Sequence, residues 1–402
     1  MEGLKLLFVF VLIMLLLWRR VPLGAVMFGA SLILAALYHT KPLAFLNMAW
    51  QASTSWATLE LIIILALIMI LEHLLGQEGY LNRMLAGLRG LFRDRRIVMA
   101  LLPAFIGLMP SAGGALFSAP LVGQAADGTP INAEEKSFVN YYYRHIWEYF
   151  LPLYPGVLLA SQLSGLGLTT LIGALAPFGL LVILFGLPVL RRVPAVVSVE
   201  ESSTARRTLV RQLFFSIFPV LIIVTLVMVL KVEVALAVAS VLVGLFIRHR
   251  YTPRKFWDLS RRALVPKTLI LVWVIMLFKE VLVETRAVEG LAPLLAQLPV
   301  PSFVIFGIIS FITGVLTGLT VAYIGIVFPL AMAAFGGHLA LPLAEFLFVT
   351  GFAGIMLSPM HLCLALTVDY FKADLRKVLR TLLGPEAALL ATVIILYLIR
   401  GA

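Results

Sequence analysis

Ten stretches of the sequence are apolar over lengths close to that needed to cross a lipid bilayer as a helix. Backbone inside a bilayer must satisfy its own hydrogen bonds, which a helix does within one segment. The predicted fold class is therefore an all-α polytopic membrane protein. The apolar stretches lie at about 4–18, 22–38, 59–75, 137–163, 168–190, 210–230, 232–248, 268–283, 343–368 and 385–400.

The composition excludes an ordinary soluble domain. Hydrophobic residues make up 62% of the 402 residues and charged residues only 13%, and the mean hydropathy is +1.06. No soluble fold needs so large an apolar fraction. The lipid bilayer is accordingly a predicted partner.

The position of the basic residues predicts the topology. The net charge of +11 would suit a nucleic-acid-binding protein, but most of the 31 lysine and arginine residues fall in alternate loops, such as 89–96 and 248–262. With the N-terminus outside, those loops are cytoplasmic, as the positive-inside rule requires. We therefore expect a multi-pass protein of the inner (cytoplasmic) membrane with both termini outside, and no nucleic-acid partner.

Two apolar segments are too interrupted for ordinary spanning helices. Met109–Pro120 reads MPSAGGALFSAP, and Gly314–Pro329 reads GVLTGLTVAYIGIVFP. Irregular backbone at membrane depth must be buried in protein or line a watery cavity. We predict two re-entrant helical hairpins, 98–123 and 303–335, each between the third and fourth spans of one half. Paired interruptions of this kind point to a transporter's binding site.

The two halves resemble one another in sequence. Gly107 and Gly314 are 207 positions apart, as are Pro152 and Pro359, and other matched prolines and arginines have shifts of 207 to 211. We predict two repeats of five transmembrane helices. Because five is odd, the second repeat is expected to be inverted relative to the first.

This pattern divides the chain into functional parts. Residues 193–208 read as a flexible cytoplasmic linker between the halves. The predicted parts are a scaffold segment 1–97 and a transport segment 98–192 in repeat 1, and a scaffold segment 209–302 and a transport segment 303–402 in repeat 2.

A broken helix is predicted after each hairpin, at 137–163 and at 343–368. Prolines remove amide donors and clash with preceding carbonyls, and broken helices offer positive N-terminal ends to anions and free carbonyls to cations. The alternative interpretation of each broken helix is a simple proline kink. The alternative for the small residues at the hairpin tips is that they only permit tight helix packing. The residues predicted to bind substrate are Ser111, Ala112, Gly113, Gly114, Pro152, Thr317, Gly318, Thr320, Ser358, Pro359 and His361.

Ionisable residues inside the spans are costly and are candidates for ion or proton coupling. Arg144, His145 and Glu148 lie within one helical turn of each other, and His145 is suited to titrate near neutral pH. The alternative is an internal ion pair that only stabilises the helix. Glu72 and His73 align with Lys279 and Glu280, where structural pairing is favoured over transport.

Enzyme and cofactor signatures are weak. His145 and Glu148 lack the second histidine of a zinc-protease helix, and no nucleotide-binding glycine loop with a lysine occurs. Cys363 is the only cysteine, which excludes a cysteine-based metal cluster. We expect no enzyme activity, no metal site and no cofactor, with Na⁺ or H⁺ as the coupling ion.

Two inverted halves, each with a hairpin and a broken helix, resemble the ion transporter superfamily. That group includes divalent-anion/sodium symporters, citrate–metal transporters, gluconate and lactate permeases and TRAP membrane subunits. The segment Met109–Gly156, with MPSAGGALFSAP and YYYRHIWEYFLPLYPG, looks most like an uncharacterised subfamily of predicted integral membrane proteins from bacteria and archaea.

This resemblance implies an elevator. The first three helices of each half would form a scaffold that holds a homodimer, and the hairpins and broken helices would slide as a transport unit. Sodium/dicarboxylate members carry Ser-Asn-Thr motifs at the hairpin tips. The corresponding residues here are Ser111-Ala112-Gly113 and Thr317-Gly318-Leu319-Thr320, which lack the asparagine.

The predicted function is ion-coupled secondary transport of a small organic anion of carboxylate type, held between the hairpin tips and the broken helices. A cation/proton antiporter with an essential carboxylate at Glu148 is the first alternative. A lipid translocase or an intramembrane enzyme is the second.

Overall fold

The computed structural model of the chain describes residues 2–92, 94–109, 114–192, 206–287 and 299–401. These residues form nineteen α-helices and one 3₁₀ helix. The helices of the first half are α1 Glu2–Trp18, α2 Leu23–Leu37, α3 Pro42–Thr54, α4 Trp56–Gln77, α5 Tyr80–Leu91, α6 Arg95–Ile106, α7 Ala115–Ala126, α8 Ala133–Tyr142, the 3₁₀ helix Tyr143–Tyr149, α9 Pro155–Ser164 and α10 Leu168–Leu190. Those of the second half are α11 Arg206–Met228, α12 Val234–Arg248, α13 Pro253–Ala263, α14 Pro266–Glu284, α15 Ser302–Thr317, α16 Thr320–Ala334, α17 Leu341–Met356, α18 Leu362–Phe371 and α19 Leu375–Arg400.

The helices confirm the prediction of an all-α membrane protein. Among the described residues, α4, α10, α11 and α19 are each long and apolar enough to cross a bilayer alone. They cover the predicted spans 59–75, 168–190, 210–230 and 385–400. Eight further apolar helices are shorter, so several of the predicted spans correspond to helices that reach across the hydrocarbon core only together with another helix or where the bilayer thins.

Both predicted broken helices, 137–163 and 343–368, are interrupted by a non-helical link. In the first half the 3₁₀ helix ends at Tyr149 and α9 begins at Pro155, where a proline suits the first helical position because its missing N–H would be unpaired there anyway. In the second half α17 ends at Met356 and α18 begins at Leu362, with His361 as its cap.

The irregular segments are shorter than the sequence suggested. Ser118 and Pro120 lie inside α7, and Pro329 lies inside α16. The prediction of irregular backbone was therefore wrong at these three residues. A single proline costs one amide hydrogen bond, which neighbouring helices can compensate in a membrane protein. The described non-helical residues between α15 and α16 are Gly318 and Leu319.

Capping side chains determine where the helices around the breaks start. Asn132 Oδ1 accepts from the Glu135 amide at 2.8 Å, and the Asn132 amide donates to Glu135 Oε2 at 3.1 Å, which is a complete capping box at the start of α8. Asp374 accepts from the Arg376 amide at 2.8 Å and caps α19 through its side chain alone.

Several elements of the two halves correspond in length and position. Helices α2 and α12 each have 15 residues, and α9 and α18 each have 10. A Cβ atom on Gly107 would overlap the Arg144 carbonyl oxygen, and one on Gly314 would overlap the carbonyl oxygen of Gly351, the position that corresponds to Arg144 after a shift of 207. Glycine therefore lets the first helix of each hairpin approach the backbone of the following broken helix.

We expect Gly314→Val to destabilise the protein by about 1–3 kcal/mol, because the branched side chain would force α15 away from α17. The measurement is the melting temperature of the purified protein in detergent. Gly173→Val is the matched control, since a Cβ at this helical glycine of α10 meets no atom within 4 Å. Equal melting temperatures for the two variants would show that the close approach at Gly314 is not required.

Candidate functional site

The two helix breaks bring buried polar side chains from both halves of the chain together. His145 lies on the 3₁₀ helix, and His361 and Cys363 lie at the start of α18. His145 Nε2 is 3.2 Å from His361 Nε2. One ligand-type atom from each of His145, His361 and Cys363 falls within 4.8 Å of the others, and all three residues are buried. We call these three residues the His–Cys cluster.

The ring of His145 is held in one orientation. Its Nδ1 lies 2.6 Å from the Tyr141 carbonyl oxygen. A carbonyl can only accept, so Nδ1 carries the proton, and Nε2 of the neutral ring has its lone pair directed at His361. The ring of Tyr141 packs edge-on against both histidines, with centroids 4.6 Å and 5.4 Å away.

Arg144 and Glu148 lie beside the His–Cys cluster, as their spacing predicted. Arg144 Nη1 is 3.3 Å from Cys363 Sγ and 3.9 Å from Glu148 Oε1. Glu148 Oε1 is 3.6 Å from His145 Nε2. The structure thus brings together all three residues predicted to couple ions or protons, and adds His361 and Cys363 to them.

The tip of the second hairpin contacts both breaks. Gly318 has a φ of +60°, which favours glycine, and a Cβ atom there would lie 2.8 Å from the His361 amide nitrogen. Thr320 packs its methyl group against Gly156, just after the first break. Thr317 ends α15, and its hydroxyl donates to the Thr313 carbonyl at 2.7 Å. Gly318 and Thr320, which we predicted to bind substrate, therefore lie where the second tip meets His361 and Gly156.

The other predicted residues of the breaks have different environments. Ser358 Oγ donates to the Val315 carbonyl at 2.5 Å and accepts from the Met360 amide at 3.1 Å, so it ties the second break to α15. Pro152 is buried within the first break, whereas Pro359 is exposed.

The first tip lies mostly outside the described residues, which include Gly114 but not Ser111, Ala112 and Gly113. Asn140 contacts this hairpin directly after its tip. Its Nδ2 donates to the Ala115 carbonyl at 3.2 Å and to Thr367 Oγ1 at 2.9 Å, so it links α7 to α18. Its buried Oδ1 has no hydrogen-bond donor among the described residues.

A cavity of about 980 Å³ separates α4 from the hairpin and break of the first half. Met109 and Phe117, which flank the first tip in sequence, line it together with Pro155. Glu72 and His73 line the opposite wall, and Glu72 is close enough to Arg144 for their charges to interact. The cavity is therefore mostly apolar, with Glu72 and His73 among its polar lining residues.

Sequence reasoning missed four polar residues. Asn140, Glu345 and Glu386 are buried inside predicted spans, and the rule that singled out Glu148 applies to the two glutamates as well. Glu345 pairs with Arg400 at 3.3 Å, while neither carboxylate oxygen of Glu386 has a hydrogen-bond partner among the described residues. Cys363 carried no signal by itself, because its neighbours come from distant sequence.

Two further sets of ionisable residues lie near helix ends. Asp369 is exposed and pairs with Lys372 at 3.0 Å. Lys279 and Glu280 lie on α14, apart from the polar groups described above.

Comparison with known proteins places the chain in a family. A search of curated proteins found no match. The resemblance to the ion transporter superfamily stays a prediction. A family model described as "Protein of unknown function (DUF401)" matches residues 2–400, nearly the whole chain. The chain therefore belongs to the DUF401 family.

Proposed function

We propose that the protein is an ion-coupled secondary active transporter of a small organic anion of carboxylate type. The observation that carries this proposal is the contact of one hairpin tip with both helix breaks. Gly318 touches the backbone at His361, and Thr320 touches Gly156. Irregular backbone at membrane depth is costly, and its concentration at one point beside a buried arginine is typical of a transporter's binding site.

Arg144 is the group best suited to hold the anion. It is 2% exposed, and a guanidinium presents a fixed fork of donors that matches a carboxylate. Helix α18 begins at Leu362, beside the same cluster, so its positive N-terminal end adds to the potential. The hydroxyl of Thr320 and the amides in the first turn of α18 would complete the binding site.

The two halves of the chain are best explained as an inverted repeat. The matched lengths of α2 and α12 and of α9 and α18, and the matched glycine contacts at Gly107 and Gly314, support a common origin. Basic loops on one side support the inversion and an inner-membrane location with both termini outside.

We further propose an elevator motion. In this arrangement α1–α5 and α11–α14 form a scaffold within a homodimer, and α6–α10 and α15–α19 form the moving unit. The cavity between α4 and the first hairpin supports a loose boundary between these parts, because a packed interface resists sliding.

We expect a carboxylate substrate to raise the melting temperature of the wild-type protein and not that of Arg144→Gln. Ligand that binds only the folded state stabilises it by about 2.7 kcal/mol at a concentration of 100 Kd. The measurement is a thermal-shift screen of small carboxylates with and without sodium at two pH values. Arg144→Lys keeps the charge and is expected to retain a weaker shift, since the fork geometry is lost.

Arg192→Gln is the matched control for that screen. Arg192 is exposed and pairs with Glu135 at 3.0 Å at the surface, far in sequence from both breaks. A rise in melting temperature with the carboxylate that persists in Arg144→Gln would contradict the assigned role of Arg144. Equal loss of that rise in Arg192→Gln would contradict it as well.

A cation/proton antiporter is the second candidate, and Glu386 favours it. This glutamate of α19 is fully buried. The titratable groups that face it are the hydroxyls of Tyr141, Tyr142 and Tyr149. Among the described residues neither oxygen of Glu386 has a hydrogen-bond partner, and a buried carboxyl group in that environment is held as the neutral acid, so Glu386 is suited to bind a proton and to release it when the unit moves.

We expect Glu386→Gln to leave the fold intact, because glutamine replaces a neutral acid of the same shape. If Glu386 couples protons, the same substitution is expected to abolish the pH dependence of transport. The measurement is flux into proteoliposomes across a range of pH values. Asp369→Gln, at an exposed surface pair, is the control. An unchanged pH profile in Glu386→Gln would remove Glu386 from the coupling mechanism.

A further inference from the structure

We propose that His145, His361 and Cys363 form a binding site for Zn²⁺ that joins the two helix breaks. This inference goes beyond the proposed function, because it concerns an ion resident in the protein and not the transported anion. Imidazole nitrogen and thiolate sulfur are the ligands that zinc prefers. These three residues come from distant parts of the sequence and converge in the buried interior.

The spacing of the two histidines fits one metal ion. Two nitrogens that each bind a tetrahedral zinc ion at 2.0–2.1 Å lie about 3.3 Å apart. The Nε2 atoms of His145 and His361 are 3.2 Å apart, and their rings are nearly perpendicular, at 88°. A direct hydrogen bond between the rings would also span this distance, but Cys363 Sγ lies within 4.8 Å of the ligand nitrogens as well.

The second shell of His145 is that of a metal ligand. Its Nδ1 donates to the Tyr141 carbonyl at 2.6 Å, which fixes the tautomer whose Nε2 lone pair is available. Ligating histidines in metalloproteins typically make this bond to a backbone carbonyl or a carboxylate. Packing of the Tyr141 ring against both imidazoles holds them in place before the ion arrives.

The surroundings of Cys363 favour the thiolate. Arg144 Nη1 lies 3.3 Å from its sulfur, and Cys363 is the second residue of α18, where the helix dipole stabilises negative charge. Zinc binding displaces the thiol proton to solvent. The thiolate and the carboxylates of Glu148 and Glu72 then balance the charges of the ion and of Arg144.

Glu148 is the carboxylate placed to complete the coordination. Its Oε1 is 3.6 Å from His145 Nε2, so a small side-chain rotation is enough for it to become a fourth ligand. Four protein ligands make a closed, structural zinc site. Such an ion would link the 3₁₀ helix of the first half to α18 of the second half and fix the relative positions of the two breaks.

The first test measures metal in the tag-free protein, purified without added zinc and without substrate. We expect one zinc ion per chain in the wild type and loss of that ion in Cys363→Ala. His338→Ala, which changes an exposed histidine, is the control and is expected to keep its zinc. Removal of the ion by a chelator is expected to lower the melting temperature of the wild type and not that of Cys363→Ala.

A second measurement needs no variant. Co²⁺ that replaces zinc in the wild type is expected to give the visible bands of a tetrahedral site and a thiolate-to-cobalt charge-transfer band. Wild-type protein that is folded but binds neither ion stoichiometrically would overturn the proposal, as would zinc retained fully in Cys363→Ala. Because no transport substrate is present, failure here leaves the transport proposal standing, and failure of the anion screen leaves the zinc site standing.

Discussion

Arg144 is a positive charge buried in a protein built to lie in lipid, and the surrounding structure compensates for it. An unpaired charge in such a place costs several kcal/mol. The positive charge of Arg144 is offset by Glu148, Glu72 and the sulfur of Cys363. These groups come from α4, from the 3₁₀ helix and from α18, so the charge fixes the relative positions of three distant parts of the chain.

The close approach of backbones makes this concentration of polar groups possible. Gly107 and Gly314 let the first helix of each hairpin touch the carbonyl oxygens of the broken helix behind it, and Gly318 and Gly156 let the second tip reach both breaks. Side chains at these positions would separate the elements and admit water or lipid to unpaired backbone groups. The binding site that we propose and the zinc site both depend on these contacts, because both lie where the breaks meet.

The sequence predicted the helical membrane class and the position of the two breaks well. Apolar length and prolines are local signals, and both act on the chain near where they occur. The predicted irregular segments were too long, because Pro120 and Pro329 are accommodated within helices. The grouping of His145 with Glu148 was visible from helical spacing. The contact of His145 with His361 and Cys363 was not, because it depends on how the two halves pack and no periodicity encodes that. Glu386 could have been found by the same rule as Glu148, and Cys363 could not.

The most direct test of the binding site is a cryo-EM reconstruction of the protein frozen with a saturating concentration of the carboxylate that stabilises it most. We expect ligand density between Arg144, the tip at Gly318–Thr320 and the first break at Gly156. Density confined elsewhere would contradict this site. The clearest such place is the cavity of about 860 Å³ lined by Arg83, Arg211 and Arg248 between α5, α11 and α12.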